Sequence, residues 1–475
     1  MGKRREECCF LKPDQEAVVH LYHTNDLHSH FEEWSSISRF VRQEKQRHKQ
    51  QGEAAFILDI GDHIDRFHVI SEATGGKGNV KLLNEAGYDY VTIGNNEGIT
   101  LSKKQLAELY EEAKFQVLLA NLFEENGSRP SWTKLYDLYT LPNGAVIAFF
   151  GLTVAYEAFY SQLGWKVSDP YEALEEVLAE VRHQADAVIL LSHLGRNEDE
   201  YIAEHYDIDV ILGAHTHHLF ETGLLVNDTL LCCTGKWGQY VGHVKLQFTK
   251  KKLISKQARV IPSKLLGGYT DAGMDQSMRM LQEESEQLMD EPVVELKETL
   301  HAHWYEETSF NKMLADSLKE WCDAEIGMLN AGVLLDSLPQ GHITRRDIHR
   351  ICPHPINPCR LLITGKTLRE VIIKAHRPQT EQLEIKGLGF RGKVMGKMIY
   401  SGLEVTPDDI PGNKLLLKEV LVNGRPLEPE RVYSVGTLDM FTFGYIYPEL
   451  ANATEKKYFL PELLRDVLQD TLMKL

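Results

Sequence analysis

VVHLYHTNDLHSH, residues 18–30, starts as an apolar run and breaks into polar residues with no glycine or proline between. Val18 to Tyr22 have the composition of a strand. His23-Thr24-Asn25-Asp26-Leu27-His28 then offer side chains that bind cations or protons. Four other apolar runs end the same way. AFILD (55–59) leads into Ile60-Gly61-Asp62, and YVTIG (90–94) into Asn95-Asn96-Glu97. AVILL (187–191) ends in Ser192-His193, and DVILG (209–213) in Ala214-His215-Thr216-His217. QVLLA (116–120), AVIAFFG (145–151) and TLLCC (229–233) are further strand candidates. Helical patterns lie between them. In YEALEEVLAEVRHQ, Leu174, Val177, Leu178 and Val181 share one face. Continuous apolar strands alternating with helices specify an α/β layered core with strands buried on both sides. The carboxyl ends of strands in such sheets converge on the ligand crevice. Five endings of this kind therefore predict one site.

The residue types narrow its chemistry. Asp26 and His28 are two apart, so extended backbone directs both to one side. Asp62 has two carboxylate oxygens with which to bridge two cations. His193, His215 and His217 supply imidazole nitrogens, and Asn95 a neutral oxygen. Mixed nitrogen and oxygen donors without thiolate suit Mn, Fe, Co or Zn rather than Ca or Mg alone. Two such ions, about 3.5–4 Å apart, clamp a phosphoryl group and activate a bound water. His63 and His68, in GDHIDRFH beside the bridging aspartate, are candidate catalytic groups. His20, His23, His218 and His243 stand outside the pattern and read as structural or surface residues.

The totals bound the class. A chain of 475 residues exceeds one ordinary core, so two domains are expected. Hydrophobic residues at 43% and charged residues at 25% are those of a soluble globular protein. Fifty-two Lys plus Arg against 69 Asp plus Glu give a net charge of -17. That balance argues against nucleic acid and anionic membrane as partners. No run is long and apolar enough for a membrane span. The start, MGKRREECCFLKPDQEAVV, lacks an apolar leader segment. Seven cysteines, with Cys8-Cys9 and Cys232-Cys233 adjacent, form no disulfide framework. A cytoplasmic location is the expectation. Near residue 250 the character changes. TKKKLISK and the turn cluster GGYTDAG precede MDQSMRMLQEESEQLMDE, a polar helix with a thin apolar stripe, suited to joining two domains.

Asp26-x-His28, Gly61-Asp62, Gly94-Asn95, Ser192-His193 and Gly213-x-His215-x-His217, in this order, resemble the dinuclear metallophosphoesterases. The resemblance implies an N-terminal layered α/β/β/α sandwich. It implies that one metal takes Asp26, His28, Asp62 and His217, and the second Asp62, Asn95, His193 and His215. Relatives carry Gly-Asn-His-Glu where this chain has Gly94-Asn95-Asn96-Glu97. The family histidine steadies the transition state and assists the leaving group, paired with an aspartate three residues on. Here those places hold Asn96 and Ile99. Asn96 donates a hydrogen bond but transfers no proton near neutral pH, so it is a weak replacement.

The C-terminal half resembles the substrate-binding domain of the 5'-nucleotidase family through Leu329-Asn330-Ala331-Gly332, Gly341-His342-Ile343-Thr344, Pro353-His354-Pro355-Ile356-Asn357 and LLITG (361–365). In relatives this domain offers arginines to ribose or phosphate and sandwiches the base between two rings. The implied substrate contacts are Asn330, Asn357, Phe390, Arg391 and Phe441 or Phe443. Two features depart from the family. Val333-Leu334-Leu335 replaces Gly-Ile-Arg, removing an arginine, and Phe441-Thr442-Phe443-Gly444-Tyr445 replaces a Gly-Gly-Asp-Gly-Tyr loop. The expected organisation is a phosphoesterase domain at 17–265, a linker helix at 266–292 and a smaller α/β substrate-binding domain at 293–475. The implied reaction is phosphoester hydrolysis by attack of a metal-bound hydroxide, with a nucleoside monophosphate as the simplest substrate. A phosphodiester, a nucleotide sugar or a non-nucleotide phosphate is the alternative substrate. A metal- and nucleotide-binding protein without catalysis is the alternative of another class.

Overall fold

The structure, a computed structural model, describes residues 16–269, 271–408 and 416–475. The leader reading, Cys8-Cys9 and one residue of the turn cluster lie outside these. The described residues fall into two compact units. One comprises the chain to Asp65 together with Thr74–Leu281; the other comprises Arg66–Ala73 and Gln282–Leu475. The polar helix spans Ala272–Met289, so the division falls inside it rather than at its ends. The transfer of residues 66–73 to the second unit has no counterpart in the sequence expectation.

The first unit contains two stacked sheets. β1 (Glu16–Thr24) is central in the seven-stranded sheet, between Tyr240–Thr249 and β2 (Ala54–Asp59). Ala187–His193 is central in the six-stranded sheet, between Val146–Thr153 and Val210–Gly213. Val19, Leu21, Val244, Leu246 and Phe248 face Phe149, Ile189, Leu191 and Leu212 across the inter-sheet core. The alternate residues Val188, Leu190 and Ile211 pack outward beneath Leu174, Val177 and Val181 of the helix Pro170–Val181. This double burial is why AVILL is continuously apolar. Each fully buried aliphatic side chain contributes about 1.5–3 kcal/mol. The helix begins where expected: the Asp169 carboxylate accepts from the Tyr171 and Glu172 amides, and Pro170 occupies its first turn. Helix α1 (Trp34–Gln50) covers the outer face of the seven-stranded sheet with Ile37, Phe40 and Val41 buried. These layers give the α/β/β/α order.

Strand register aligns the polar endings. β1 and β2 are parallel with Thr24 opposite Asp59, so the loops bearing Asp26 and Asp62 leave the same edge. Asp59 is opposite Val91, and Ser192 is opposite Gly213. The third strand is only Tyr90–Val91, shorter than expected. Past it the Thr92 amide donates to the Asp59 carbonyl and the chain leaves the ladder.

The second unit is built on a five-stranded mixed sheet, ordered Met398–Ser401, Ile326–Asn330, Val432–Leu438, Pro358–Thr364 and Glu455–Tyr458. Helices Ser309–Trp321 and Leu464–Leu472 belong to this unit. Its segment 66–73 is tied in by charge. Glu72 bonds both Arg66 and Arg465, Arg465 at 2.8 Å, with the Glu72 and Arg465 side chains only 5% and 4% exposed. The five described cysteines are free, and no described helix is long and apolar enough to cross a membrane.

Candidate metal centre

The strand ends bring the seven sequence-predicted ligands to one edge of the first unit. His28 Nε2 lies 3.2 Å from His217 Nε2, 3.8 Å from Asp26 Oδ1 and 3.7 Å from Asp62 Oδ2. His217 Nε2 is 3.4 Å from Asp26 Oδ1, and His193 Nε2 is 3.5 Å from Asp62 Oδ2. Asp26, His28 and His217 form one group spaced to hold a cation, and Asp26, Asp62 and His193 another. His215 packs its ring 5.3 Å from that of His193, and its amide donates to both oxygens of Asp26.

Two observations fit a cation pair. Asn95 Oδ1 and His193 Nε2 are buried with no hydrogen-bond partner among the described residues, which is costly unless a ligand takes their lone pairs. His193 Nδ1 donates to the Ile60 carbonyl at 2.7 Å, which fixes the tautomer and leaves Nε2 as the acceptor facing the acids.

The backbone that aims these groups is not extended. Asp26, His28, Asp62, His215 and His217 all have positive φ, from 49° to 70°. The expectation that extended backbone turns Asp26 and His28 the same way is therefore corrected. A left-handed loop does it, at the conformational cost typical of functional sites. The loops hold that shape through paired hydrogen bonds. Asp26 N donates to the Gly61 carbonyl and His28 N to the Asp62 carbonyl. Gly94 is required by close approach, since a Cβ there would stand 2.1 Å from Asp62 Oδ1. Glu97, 2% exposed, accepts the backbone amides of Asp62, Gly94 and Ile64, each at 2.9 Å. Asn25 donates to Asp26 Oδ2 at 2.7 Å and to the Gly235 carbonyl at 2.8 Å.

The expected catalytic groups are placed differently. The Asn96 side chain is buried, 3.0 Å from His28 Nδ1, and donates to the Ile64 carbonyl. It backs a ligand instead of presenting an amide to substrate. His63 is buried against Trp34 edge to face, with Nδ1 beside Asn79, and burial pulls it down to about 3. The apolar wall of α1 takes that ring, so it does not join the ligand set. His68 groups with the second unit, where its Nδ1 accepts the Ile70 amide. Sequence reasoning missed Tyr156, whose hydroxyl is 3.2 Å from His215 Nε2 on the loop after Val146–Thr153. It also missed Asp65, 3.2 Å from His28 Nδ1. Neither carries a motif.

In the second unit Asn330 is fully buried and donates to the Met395 carbonyl, and Asn357 donates to the Glu462 carbonyl. Phe390 lies flat on His354, centroids 5.0 Å apart, and is 3% exposed. Phe441 is fully buried against Tyr447. Phe390 and Phe441 are therefore core residues, because each has found a partner ring inside the unit. Phe443 is 43% exposed, and Arg391 stands over Phe67, itself within this unit.

Residues 19–219 match the family model for calcineurin-like phosphoesterase, and residues 290–444 that for the 5'-nucleotidase C-terminal domain. An uncharacterized metallophosphoesterase of Bacillus subtilis, YunD, is 46% identical over 95% of this chain and 98% of its own. The chain belongs to the calcineurin-like metallophosphoesterases of the 5'-nucleotidase family. A 5'-nucleotidase of Vibrio cholerae is 23% identical over 72% of each chain. The Haemophilus influenzae NAD nucleotidase structure has the same fold, with a TM-score of 0.68 at 17% identity over 97% of each chain. As a member of this family the protein is a phosphoester hydrolase that uses divalent metals, and Asp26, His28, Asp62, His193 and His217 are spaced to hold cations.

Proposed function

We propose that this metallophosphoesterase releases phosphate from nucleoside monophosphates. The observation that carries the hydrolytic part is the convergence of seven donors that leaves Asn95 Oδ1 and His193 Nε2 buried and unpartnered. The nucleotide part rests on the match of residues 290–444 and on relatives named as 5'-nucleotidases. A divalent pair held there supplies positive charge to phosphoryl oxygens and activates a coordinated water. The chain's own contributions are positional. Glu97 and the paired loop bonds keep Asp26, His28 and Asp62 in their strained conformations. Asn25 holds Asp26, and the Ile60 carbonyl orients His193. Tyr156 brings a hydroxyl donor to the centre beside His215.

A second reading is favoured by two placements. Asn96 is turned to His28, and Phe390 and Phe441 are already packed. The first suits a good leaving group, as in a dinucleotide or nucleotide sugar, and the second withdraws two of the three rings expected to clamp a base. Chromatographic analysis of all products from a broad ester panel, after reconstitution with Mn, Co, Zn or Fe, separates the two, since a diester or nucleotide sugar is cleaved without freeing inorganic phosphate. Hydrolysis of nucleoside monophosphates above the rest is expected; turnover confined to diesters and nucleotide sugars would replace the first reading with the second. Asp62→Ala should abolish activity in either case, and retained turnover would refute a shared two-metal ligand.

A further inference from the structure

The outer face of the seven-stranded sheet carries a polar cluster where a covering helix calls for apolar side chains. Along β1, Val19 and Leu21 enter the inter-sheet core, while His20 and Tyr22 take the alternate face. On the neighbouring strand Lys245 is opposite His20, and His243 opposite Tyr22. His48 comes from the last turn of α1. The three imidazoles are buried and stacked: His20 and His48 have centroids 3.5 Å apart, and His20 and His243 5.2 Å apart.

Their hydrogen bonds assign the protons. Arg259 Nε donates to His243 Nδ1 at 3.3 Å, so Nε2 of that ring carries the proton and donates to His20 Nδ1 at 2.9 Å. His20 Nε2 then donates to Glu53 Oε2 at 3.1 Å. His48 Nδ1 donates to the same oxygen at 2.8 Å, and its Nε2 accepts from Arg47 at 3.1 Å. All six ring nitrogens are used, and burial keeps His20 near 4 and His243 near 3. A shared cation does not fit. The three imidazoles are close enough to share one, but their nitrogens are already engaged with one another, Glu53, Arg47 and Arg259.

Above the stack is a cavity of about 440 Å³, of the size that holds small molecules. Arg47, Lys245 and Arg259 line it together with Gln51 and Gln257. The one lining carboxylate, Glu53, already accepts from two imidazoles. Arg47 pairs with Glu44, but Lys245 and Arg259 have no carboxylate partner among the described residues. This is a concentration of positive charge on a chain of net charge -17. It is separate from the metal centre, since His20 lies four residues, roughly 13 Å of strand, before the strand end at Thr24, and Asp26 lies beyond that end.

We propose that this cavity is a second ligand site, which binds a phosphate-bearing small molecule of about nucleotide size through Lys245, Arg259 and Arg47. Calorimetric titration of the full-length, metal-loaded protein with pyrophosphate, AMP and adenosine, in phosphate-free low-salt buffer, tests it. A binding event for pyrophosphate or AMP, absent with adenosine, is expected. Lys245→Glu should weaken it about tenfold or more, as loss of a charged contact does, and Arg259→Gln should weaken it too. The Lys245→Glu protein should keep its unfolding midpoint and its kcat/KM at low substrate. The proposal is overturned if that event is missing, if neither substitution changes it, or if Asp62→Ala removes it, which would assign it to the metal centre. Zinc or nickel bound with a stoichiometry that drops by one in His48→Ala would make it a cation site and overturn it as well.

Discussion

Glu97→Gln tests the support of the metal centre without touching a ligand. The wild-type carboxylate accepts three buried amides, two of them, from Asp62 and Gly94, on the same oxygen. The substitution preserves shape and one carbonyl oxygen. If that oxygen keeps Ile64, the new amide group faces two N–H donors with donors of its own. Two hydrogen bonds to a charged group, at about 1.5–3 kcal/mol each, are then lost; if the amide turns over, one is lost and the Ile64 donor is stranded. We expect about 3–5 kcal/mol of destabilisation. For a unit of this size that corresponds to a melting point lower by roughly 6–15 °C. Asp62 and Asn95 flank the loosened amides, so metal affinity should fall about 10–100-fold, the usual range for loss of a group that orients ligands. Thermal unfolding of the metal-free protein and competition with a metal indicator measure the two effects separately. A melting point within 2 °C of wild type, by the scale used above, together with unchanged metal affinity, would refute the assignment of Glu97 as the fastener of both loops.

Other outcomes follow from single contacts. Tyr156→Phe should slow hydrolysis of alkyl phosphates about tenfold, the worth of one hydrogen bond, with aryl phosphates much less affected; equal slowing would remove Tyr156 from the leaving-group side. Glu72→Ala strands Arg66 and Arg465 without a counter-charge and should destabilise the second unit by about 3–5 kcal/mol in urea unfolding; a loss under about 1 kcal/mol, at the level of an exposed pair, would contradict the buried network. His23 and His354 are held by burial near 3, below the ordinary 6.5. The unfolded chain therefore binds protons that the native one excludes, and stability, full above about pH 6.5, should be lost as pH falls towards 3. At pH 5 each contributes a loss of about 2 kcal/mol; a urea midpoint unchanged from pH 7 to 5 would show these rings already charged.

The sequence announced the donors because ligand chemistry interrupts apolar strands at fixed places. A buried strand has no other use for Asp62 or His193 at its end, so residue type and position together were informative. Conformation was not. Alternation suggested extended backbone at Asp26 and His28, whereas positive φ at both is enforced by loop-to-loop hydrogen bonds distant in sequence. Tyr156 and Asp65 were invisible for the same reason, since each meets a ligand only through the fold. Aromatic residues showed the opposite failure. Phe390 and Phe441 have the spacing and type of stacking platforms, but a ring that packs on a base packs equally well on His354 or Tyr447. Only burial distinguishes the two. Asn96 was legible as a departure from the family sequence, but its direction required the position of His28.

The allocation of Arg66–Ala73 bears on how the protein can be divided. These eight residues leave the loop that carries Asp62, enter the second unit and return at Thr74. The two units are thus interleaved in the gene rather than placed end to end. A fragment cut at Leu281 keeps Glu72 but discards Arg465, its buried counter-ion. The complementary fragment keeps Arg465 and loses Glu72. Recombination that exchanges one half of such a chain for a foreign one must bring residues 66–73 and Arg465 from the same parent. A successful chimera therefore needs two crossovers around residues 66–73 as well as one near 281.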